Sequence, residues 1–181
     1  MGHPILDLIN KPSRLVIGFM SGTSADGIDA ALVRISGSGT DTKVQQLAFF
    51  FSPFAPEVRA EILRLAGGAP AAAADFCRIN FLLGRLCSEA GLELCRQAGL
   101  APGDIDLIGN HGQTFWHIPA EEEYLGRQIR STLQLGEDAV LAETFGCPVA
   151  GDFRVRDMAA GGLGAPLVPY TEFLLYRSET E

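Results

Sequence analysis

Gly18-Phe19-Met20-Ser21-Gly22-Thr23-Ser24-Ala25-Asp26-Gly27-Ile28-Asp29 joins two apolar runs, Leu15 to Met20 and Ala30 to Ile35. The runs read as short β-strands. Asp26-Gly27 between them is a tight-turn signal, because glycine accepts the positive φ that such hairpins require. The loop then gathers backbone N–H groups and the hydroxyls of Ser21, Thr23 and Ser24 at one spot. Such a concentration of donors attracts an oxyanion, and a nucleotide phosphate is the commonest one. Taken alone, the segment is also readable as a polar hairpin without a ligand, because short motifs match by chance.

Outward from this hairpin, Val44 to Ser52 is a third apolar stretch set off by Gly37-Ser38-Gly39-Thr40-Asp41, which makes an antiparallel meander of three strands. Pro56 to Ala66 carries proline at the first helical position, acid in the first turn and Gly67-Gly68 at its end, the start and stop signals of a helix. The longest helix is expected from about Ala73 to Ala98: Phe76, Ile79, Leu83, Leu86 and Ala90 recur at spacings of three and four, with Arg85, Glu89 and Glu93 on the wet side. Asp106 to Gly109 enters a fourth strand that runs into Asn110-His111-Gly112-Gln113-Thr114. Ser131 to Leu135 suggests a fifth strand, Glu137 to Phe145 a short helix, and Pro148 to Gly151 a last buried strand ending at Asp152-Phe153-Arg154. The order β-β-β-α-α-β-β-α-β predicts a mixed α/β domain, with three antiparallel strands first and helix-separated parallel strands afterwards.

A chain of 181 residues is long enough for one domain with a real core and short for two. With 14 Lys+Arg against 22 Asp+Glu the formal charge is −8 and no basic cluster occurs, which argues against nucleic acid and anionic membrane as partners. No apolar run reaches bilayer length, the N-terminus lacks the order of a signal peptide, and Leu6 spoils the myristoylation motif that Met1-Gly2 begins, so a cytoplasmic location is expected. Cys77 and Cys95 share a helix face but stand roughly 27 Å apart, too far for a disulfide. The four cysteines, Cys77, Cys87, Cys95 and Cys147, lack metal-site spacing and read as small buried hydrophobes.

Three polar, small-residue loops follow strands in this reading: Ser21 to Asp29, Asn110 to His117, and Asp152 to Pro169. In open α/β sheets ligands bind outside the carboxyl ends of the strands, where these loops can converge. His111, Gln113 and Thr114 offer an imidazole, an amide and a hydroxyl suited to a polyhydroxylated ligand, or else satisfy a local turn. His117 reads as a packed surface histidine, and no pairing of His3, His111 and His117 has metal-ligand spacing. Asp152 is either a general base tuned by Arg154 or that residue's structural ion-pair partner. The run Ala159-Ala160-Gly161-Gly162-Leu163-Gly164-Ala165-Pro166 is costly to order, so it is expected to move or to bring its backbone close to a ligand.

Taken together and in this order, the Gly18–Asp29 stretch, Gly109-Asn110-His111-Gly112-Gln113-Thr114, Leu133-Gln134-Leu135-Gly136, Asp152-Phe153-Arg154 and Ala159 to Pro169 resemble the anhydro-N-acetylmuramic acid kinases of bacterial cell-wall recycling. The resemblance implies a ribonuclease H-like lobe of the actin, hexokinase and heat-shock ATPase kind, with ATP and Mg²⁺ bound between two lobes. It implies hydrolytic opening of the 1,6-anhydro bridge of the amino sugar and phosphorylation of its 6-hydroxyl, giving N-acetylmuramic acid 6-phosphate. Carried over by position, Gly22, Thr23, Ser24, Ala25, Asp26, Gly27, Ile28 and Asp29 are the phosphate-binding stretch and Asp152 the catalytic base. His111, Gln113, Thr114, Gln134 and Arg154 are sugar-side residues. A homodimer is compatible with this reading.

Two departures stand out. The wider superfamily often opens its first phosphate loop with Asp, where this chain has Phe19 or Met20; Asp26 or Asp29 can serve the metal through water, and no metal ligand is assigned. Members of the family are also about twice this length, so residues 1–181 are expected to be the first lobe, without the second that carries the adenosine site. Two other classes compete with the sugar kinase: another small-molecule kinase or ATPase of the same superfold, and a non-catalytic sensor or dimerising module that binds a muropeptide sugar.

Overall fold

The computed structural model of the chain describes residues 4–178; the Met1-Gly2 motif, His3 and residues 179–181 lie outside the described residues. Helix α1 (Pro4–Asn10) leads into β1 (Ser13–Ser21), β2 (Gly27–Ser36) and β3 (Lys43–Pro53), which pair antiparallel in sequence order. Helices α2 (Pro56–Ala66) and α3 (Ala73–Ala98) carry the chain to β4 (Leu107–Tyr124), which lies parallel to β1. Strand β5 (Arg127–Leu135) folds back antiparallel on the far half of β4. Helix α4 (Asp138–Phe145) then returns the chain to β6 (Val149–Ala150), parallel to the near half of β4. Helices α5 (Phe153–Ala159) and α6 (Val168–Tyr176) follow. The sheet order is β3-β2-β1-β4-β5, with β6 also on β4. This is the mixed sheet expected from the sequence, with two differences: β5 pairs antiparallel with β4 where the sequence predicts parallel later strands, because it follows β4 through a short turn rather than a helix, and α1 and α5 add to the expected elements.

The helices form where the sequence supplies their ends. Pro56 opens α2, and the Gly67 N–H closes it on the Leu63 carbonyl at 2.9 Å. In α3 the Asp75 carboxylate accepts the Ala72 N–H at 2.9 Å, and Gly99 ends the helix at φ 69°. One face of α3 buries Ile79, Leu83, Ala90 and Leu94 against Ile17, Phe19, Ala30, Leu32 and Ile108 of the sheet, each large side chain contributing about 1.5–3 kcal/mol. Two glycines let α3 approach its neighbours closely. A Cβ on Gly84 would sit 2.8 Å from the Glu137 carbonyl, and one on Gly91 would sit 2.7 Å from the Phe145 ring and 2.8 Å from that of Phe19.

The structure corrects the sequence reading in several places. The left-handed residue of the first hairpin is Ala25 (φ 49°) rather than Gly27. Gly27 is needed because β3 crosses it, so that a Cβ there would meet the Ser52 carbonyl at 2.4 Å. Asn110 to His117 is strand rather than loop, because β5 supplies a partner that extends β4 to Tyr124, with irregular register between Thr114 and Trp116. The first part of Asp152 to Pro169 is helix α5. Cys87 and Cys95 are buried as expected, but Cys77 is exposed on α3; all four thiols are free. Burial, helped by Asp138, pushes the Cys87 thiol up to about 12. Helix α1 was not anticipated: Arg14 donates to the Leu8 and Ile9 carbonyls, and Lys11 pairs with Asp106, which also accepts the Leu15 N–H. Among the described residues no helix is long and apolar enough to cross a membrane.

Candidate active site

The carboxyl ends of the three parallel strands lie along one edge of the sheet. Ser21 of β1 is in register with Gln113 of β4, and Gly109 of β4 with Ala150 of β6, two residues before Asp152. Parallel strands put their ligand-binding loops at this edge.

The Gly22–Asp26 loop is closed by the Ala25 N–H on the Gly22 carbonyl at 3.1 Å. Gln113 pins it from β4. Its Oε1 lies 2.6 Å from Ser21 Oγ, and its Nε2 donates to the Gly22 and Thr114 carbonyls at 3.0 and 3.1 Å. Gln113 is only 2% exposed, so its amide is spent on holding the loop to the strand. Ser24 Oγ donates to Asp26 Oδ1 at 2.8 Å, which holds that exposed carboxyl below its ordinary value and ionised. The N–H groups of Thr23 and Ser24 make no hydrogen bond to the rest of the chain among the described residues. They remain as donors beside the exposed Thr23 hydroxyl.

Asp152 caps α5 in the left-handed region, φ 55° and ψ 32°, a conformation that costs an L-residue roughly 1–2 kcal/mol and collects at functional sites. Gly151 before it is pressed against Asp138: a Cβ there would be 2.0 Å from Asp138 Oδ2. Asp138 Oδ1 accepts from Asn110 Nδ2 at 2.7 Å, and Asn110 Oδ1 accepts the Gly112 N–H at 3.1 Å. Burial raises the Asp138 carboxyl, the Asn110 amide opposes that, and nearby Asp152 adds to it.

The ion pair between Asp152 and Arg154 that the sequence left open is not formed among the described residues. Arg154 Nε instead donates to His111 Nε2, and its Nη1 to the Gly164 carbonyl, both at 2.8 Å. Gln134 Nε2 donates to Thr132 Oγ1 at 2.8 Å and approaches Thr114 Oγ1 at 3.4 Å, while its Oε1 is buried without a partner. The glycine-rich segment after α5 is tied down by its own chain. Arg130 Nη1 donates to the Gly161 and Gly162 carbonyls at 3.2 and 3.3 Å, and Asp157 Oδ2 accepts the Gly164 N–H at 2.8 Å. Gly162 is required by contact with Asp157, whose Oδ2 would lie 2.1 Å from a Cβ.

A cavity of about 810 Å³ opens beside this edge, lined by Met20, His111, Gly151, Phe153, Arg154 and Arg156 together with Ala165 to Val168 and Thr171. A second, of about 470 Å³, lies on the Thr23 side against Thr114, Trp116 and His117. A cell of about 20 Å³ is shared by Asn110, His111, Gln134, Asp138 and Asp152. His111 lines both the larger cavity, with Arg154, and the small cell, with Asp152 and Gln134, whereas Thr114 lies apart from them in the cavity on the Thr23 side and Gln113 is buried beneath the loop. Among the described residues no three His, Cys, Asp or Glu side chains are grouped to hold a metal. Sequence reasoning missed Asn110, Asp138 and Arg130, which reach partners on other elements, and Asp157, which turns back on Gly162 and Gly164 of the loop that follows it; the local hints were the glycines nearby, Gly109, Gly136, Gly162 and Gly164.

A family model described as anhydro-N-acetylmuramic acid kinase matches residues 14–181. An anhydro-N-acetylmuramic acid kinase of Caldanaerobacter subterraneus subsp. tengcongensis is 56% identical over 98% of this chain and 45% of its own length. Namesakes from Bacillus thuringiensis subsp. konkukian and Bacillus cereus are 45% and 46% identical over 92% of this chain and 43% of their own. The chain therefore spans about half the length of the curated relatives it matches. A solved structure of CasPhi-2 bound to crRNA and DNA overlaps 74% of this chain at 12% identity with a TM-score of 0.18, too low to read a common fold from. With a family model covering nearly all of its residues, the chain belongs to the anhydro-N-acetylmuramic acid kinase family.

Proposed function

We propose that residues 1–181 are the first, ribonuclease H-like lobe of a two-lobed kinase that opens the 1,6-anhydro bridge of anhydro-N-acetylmuramic acid with water and phosphorylates its 6-hydroxyl. The observation that carries this reading is the family match over residues 14–181. The convergence of the Gly22–Asp26 loop, β4 and Asp152 on one sheet edge supports it.

In this reading the Gly22–Asp29 stretch receives nucleotide phosphates. The N–H groups of Thr23 and Ser24 and the Thr23 hydroxyl are suited to phosphate oxygens, and the ionised Asp26 beside them calls for a cation. ATP with Mg²⁺ supplies the phosphoryl group when bound, and Mg²⁺ of this kind needs only one or two carboxylates besides phosphates and water, for which Asp26 or Asp29 is available. Asp152 takes a proton from the water that attacks the anomeric carbon. The new C1–OH bond forms as the bridging C1–O bond breaks, and the departing oxygen, the sugar's O6, takes the γ-phosphoryl group and leaves ADP. A single carboxylate then drives both halves, because the phosphoryl group accepts the charge that a general acid otherwise neutralises. Gln134 and Arg154 are assigned to the sugar side with His111 beside Arg154, Thr114 borders the cavity on the Thr23 side, and Gln113 serves the site by holding the loop.

The test is ADP release when the anhydro sugar is added to the full-length protein. Release with sugar phosphate as product supports the reading. Release with a different acceptor only would point to another kinase of the superfold, and sugar binding without release to a sensor. The 181-residue chain alone should bind ATP weakly and turn nothing over, because a site enclosed by two lobes loses much of its contact with one.

A further inference from the structure

Arginine carries donors only, so an imidazole nitrogen 2.8 Å from Arg154 Nε must present its lone pair. His111 is therefore the neutral tautomer protonated at Nδ1, and that nitrogen donates to the Gly112 carbonyl at 2.7 Å. The other tautomer would set N–H against N–H at Arg154 and lone pair against lone pair at Gly112. The ring is thus a rigid link from the backbone of β4 to a guanidinium 43 residues further along the chain. Gly164 fixes Arg154 Nη1 at 2.8 Å, and among the described residues Nη2 has no partner. The side chain lines the 810 Å³ cavity with Arg156, while Met20, Phe153 and Leu167 make much of the remaining wall apolar. In a chain of net charge −8, two guanidinium groups on one largely apolar cavity suit a ligand with an apolar body and an anionic group.

We propose that His111 is a positioning residue: it aims the free edge of Arg154 at an anionic oxygen of the ligand in this cavity and acts through that arginine rather than on the ligand. Only the identity of the ligand rests on the kinase reading. The anionic oxygen then belongs to the carboxylate of the sugar acid or to a phosphate of the nucleotide. Burial, with Arg154 beside it, lowers the imidazole's proton affinity against the pull of the Gly112 carbonyl, which keeps the acceptor nitrogen available at neutral pH.

The test is a double-mutant cycle in the full-length protein with His111→Leu, Arg154→Leu, both together, and His111→Gln, whose Oε1 replaces Nε2 as acceptor. His111→Leu should raise the KM of one substrate on the order of 10-fold, the same substrate that Arg154→Leu weakens, and separate sugar and ATP titrations name it. The double variant should be no worse than Arg154→Leu alone, and His111→Gln should stay within about 3-fold of wild type. Additive losses would mean that His111 touches the ligand directly and would overturn the proposal, as would an unchanged KM in His111→Leu. Should His111→Leu not fold, His111→Asn, too short to reach Arg154, takes its place with the same expectation. Calorimetric titration with the anhydro sugar and with ATP separates the two readings. Binding that follows the cycle without turnover sinks the kinase reading alone, whereas turnover with an additive cycle sinks this one alone. Failure of wild type to bind either probe overturns both.

Discussion

The two faces of the sheet are built by the same strands and end in opposite conditions. On one, Ile17, Leu32 and Ile108 are 0% exposed under the helices between β3 and β6; on the other, Met20 and Phe49 are 42% and 51% exposed, and α6, which shares a cavity with Met20, leaves Phe173 57% exposed. Alternation along a strand sends neighbours to opposite faces, so the apolar content of β1 to β3 serves both. Only the first face meets a helix with a matching apolar stripe. The difference teaches that the core and the cavity are housed apart: the finished face holds the core, while the open face and the adjoining edge hold the cavity, both arginines and Asp152, where the proposed ligand contacts lie.

Asp152→Asn in the full-length protein tests that separation most severely. Turnover should fall by about 10²–10⁴ while the melting temperature barely moves, because shape and most hydrogen bonds are kept and only the basic oxygen is lost. Near-wild-type turnover in a well-folded variant would remove Asp152 from the chemistry. Next in size, Leu94→Ala on the finished face should lose about 2–5 kcal/mol of unfolding free energy, whereas Phe49→Ala on the open face should change it by no more than about 0.5 kcal/mol. Equal losses in denaturant titrations would break the comparison.

Asp138→Asn should go the other way. A carboxyl raised above its unfolded value binds protons more readily when folded, so its contribution is present at low pH and is lost as pH rises through about 3.8 toward the folded value. The amide keeps an oxygen for Asn110 and removes the charge, so stability at neutral pH should rise by less than about 1 kcal/mol, read as a higher melting temperature. Turnover should drop in the same variant if the carboxylate sets the place of Gly151 and Asp152.

The smallest effect is the titration of His111, which Arg154 contacts and which shares its cavities with Arg156, Asp138 and Asp152. Its folded value lies below the ordinary one, so the unfolded chain binds the proton first. Stability should climb with pH from the folded value up to about 6.5 and then level off. His111→Gln should flatten that slope, and an unchanged slope would mean that another group titrates.

The element order was legible because it is written locally. Pro56, Glu57 and Gly67 mark α2, and the three-and-four spacing from Phe76 to Ala90 marks α3 without reference to anything distant. What escaped was set by partners. β4 runs on to Tyr124 because β5 returns beside it, and the left-handed residue of the hairpin is Ala25 while Gly27 is needed for the close approach of β3 alongside it. In the site, the motifs marked Asp152, His111 and Gln113 as polar residues next to glycines and Arg154 as a cation two residues after Asp152, and no local pattern distinguishes a side chain offered to a ligand from one spent on its own backbone.

By itself, then, the sequence determined the mixed α/β class, the ends of α2, α3 and α4 and the family, since periodicity, capping and motif order are properties of neighbours along the chain. Only the tertiary structure decided that Gln113 is buried as the anchor of the Gly22 loop, that Arg154 pairs with His111 instead of Asp152, and that Asp138 stands behind Gly151. Each of these is a hydrogen bond or close contact between segments far apart in sequence or on separate elements. Which donor meets which acceptor depends on strand register and helix approach, and these are fixed when the core packs.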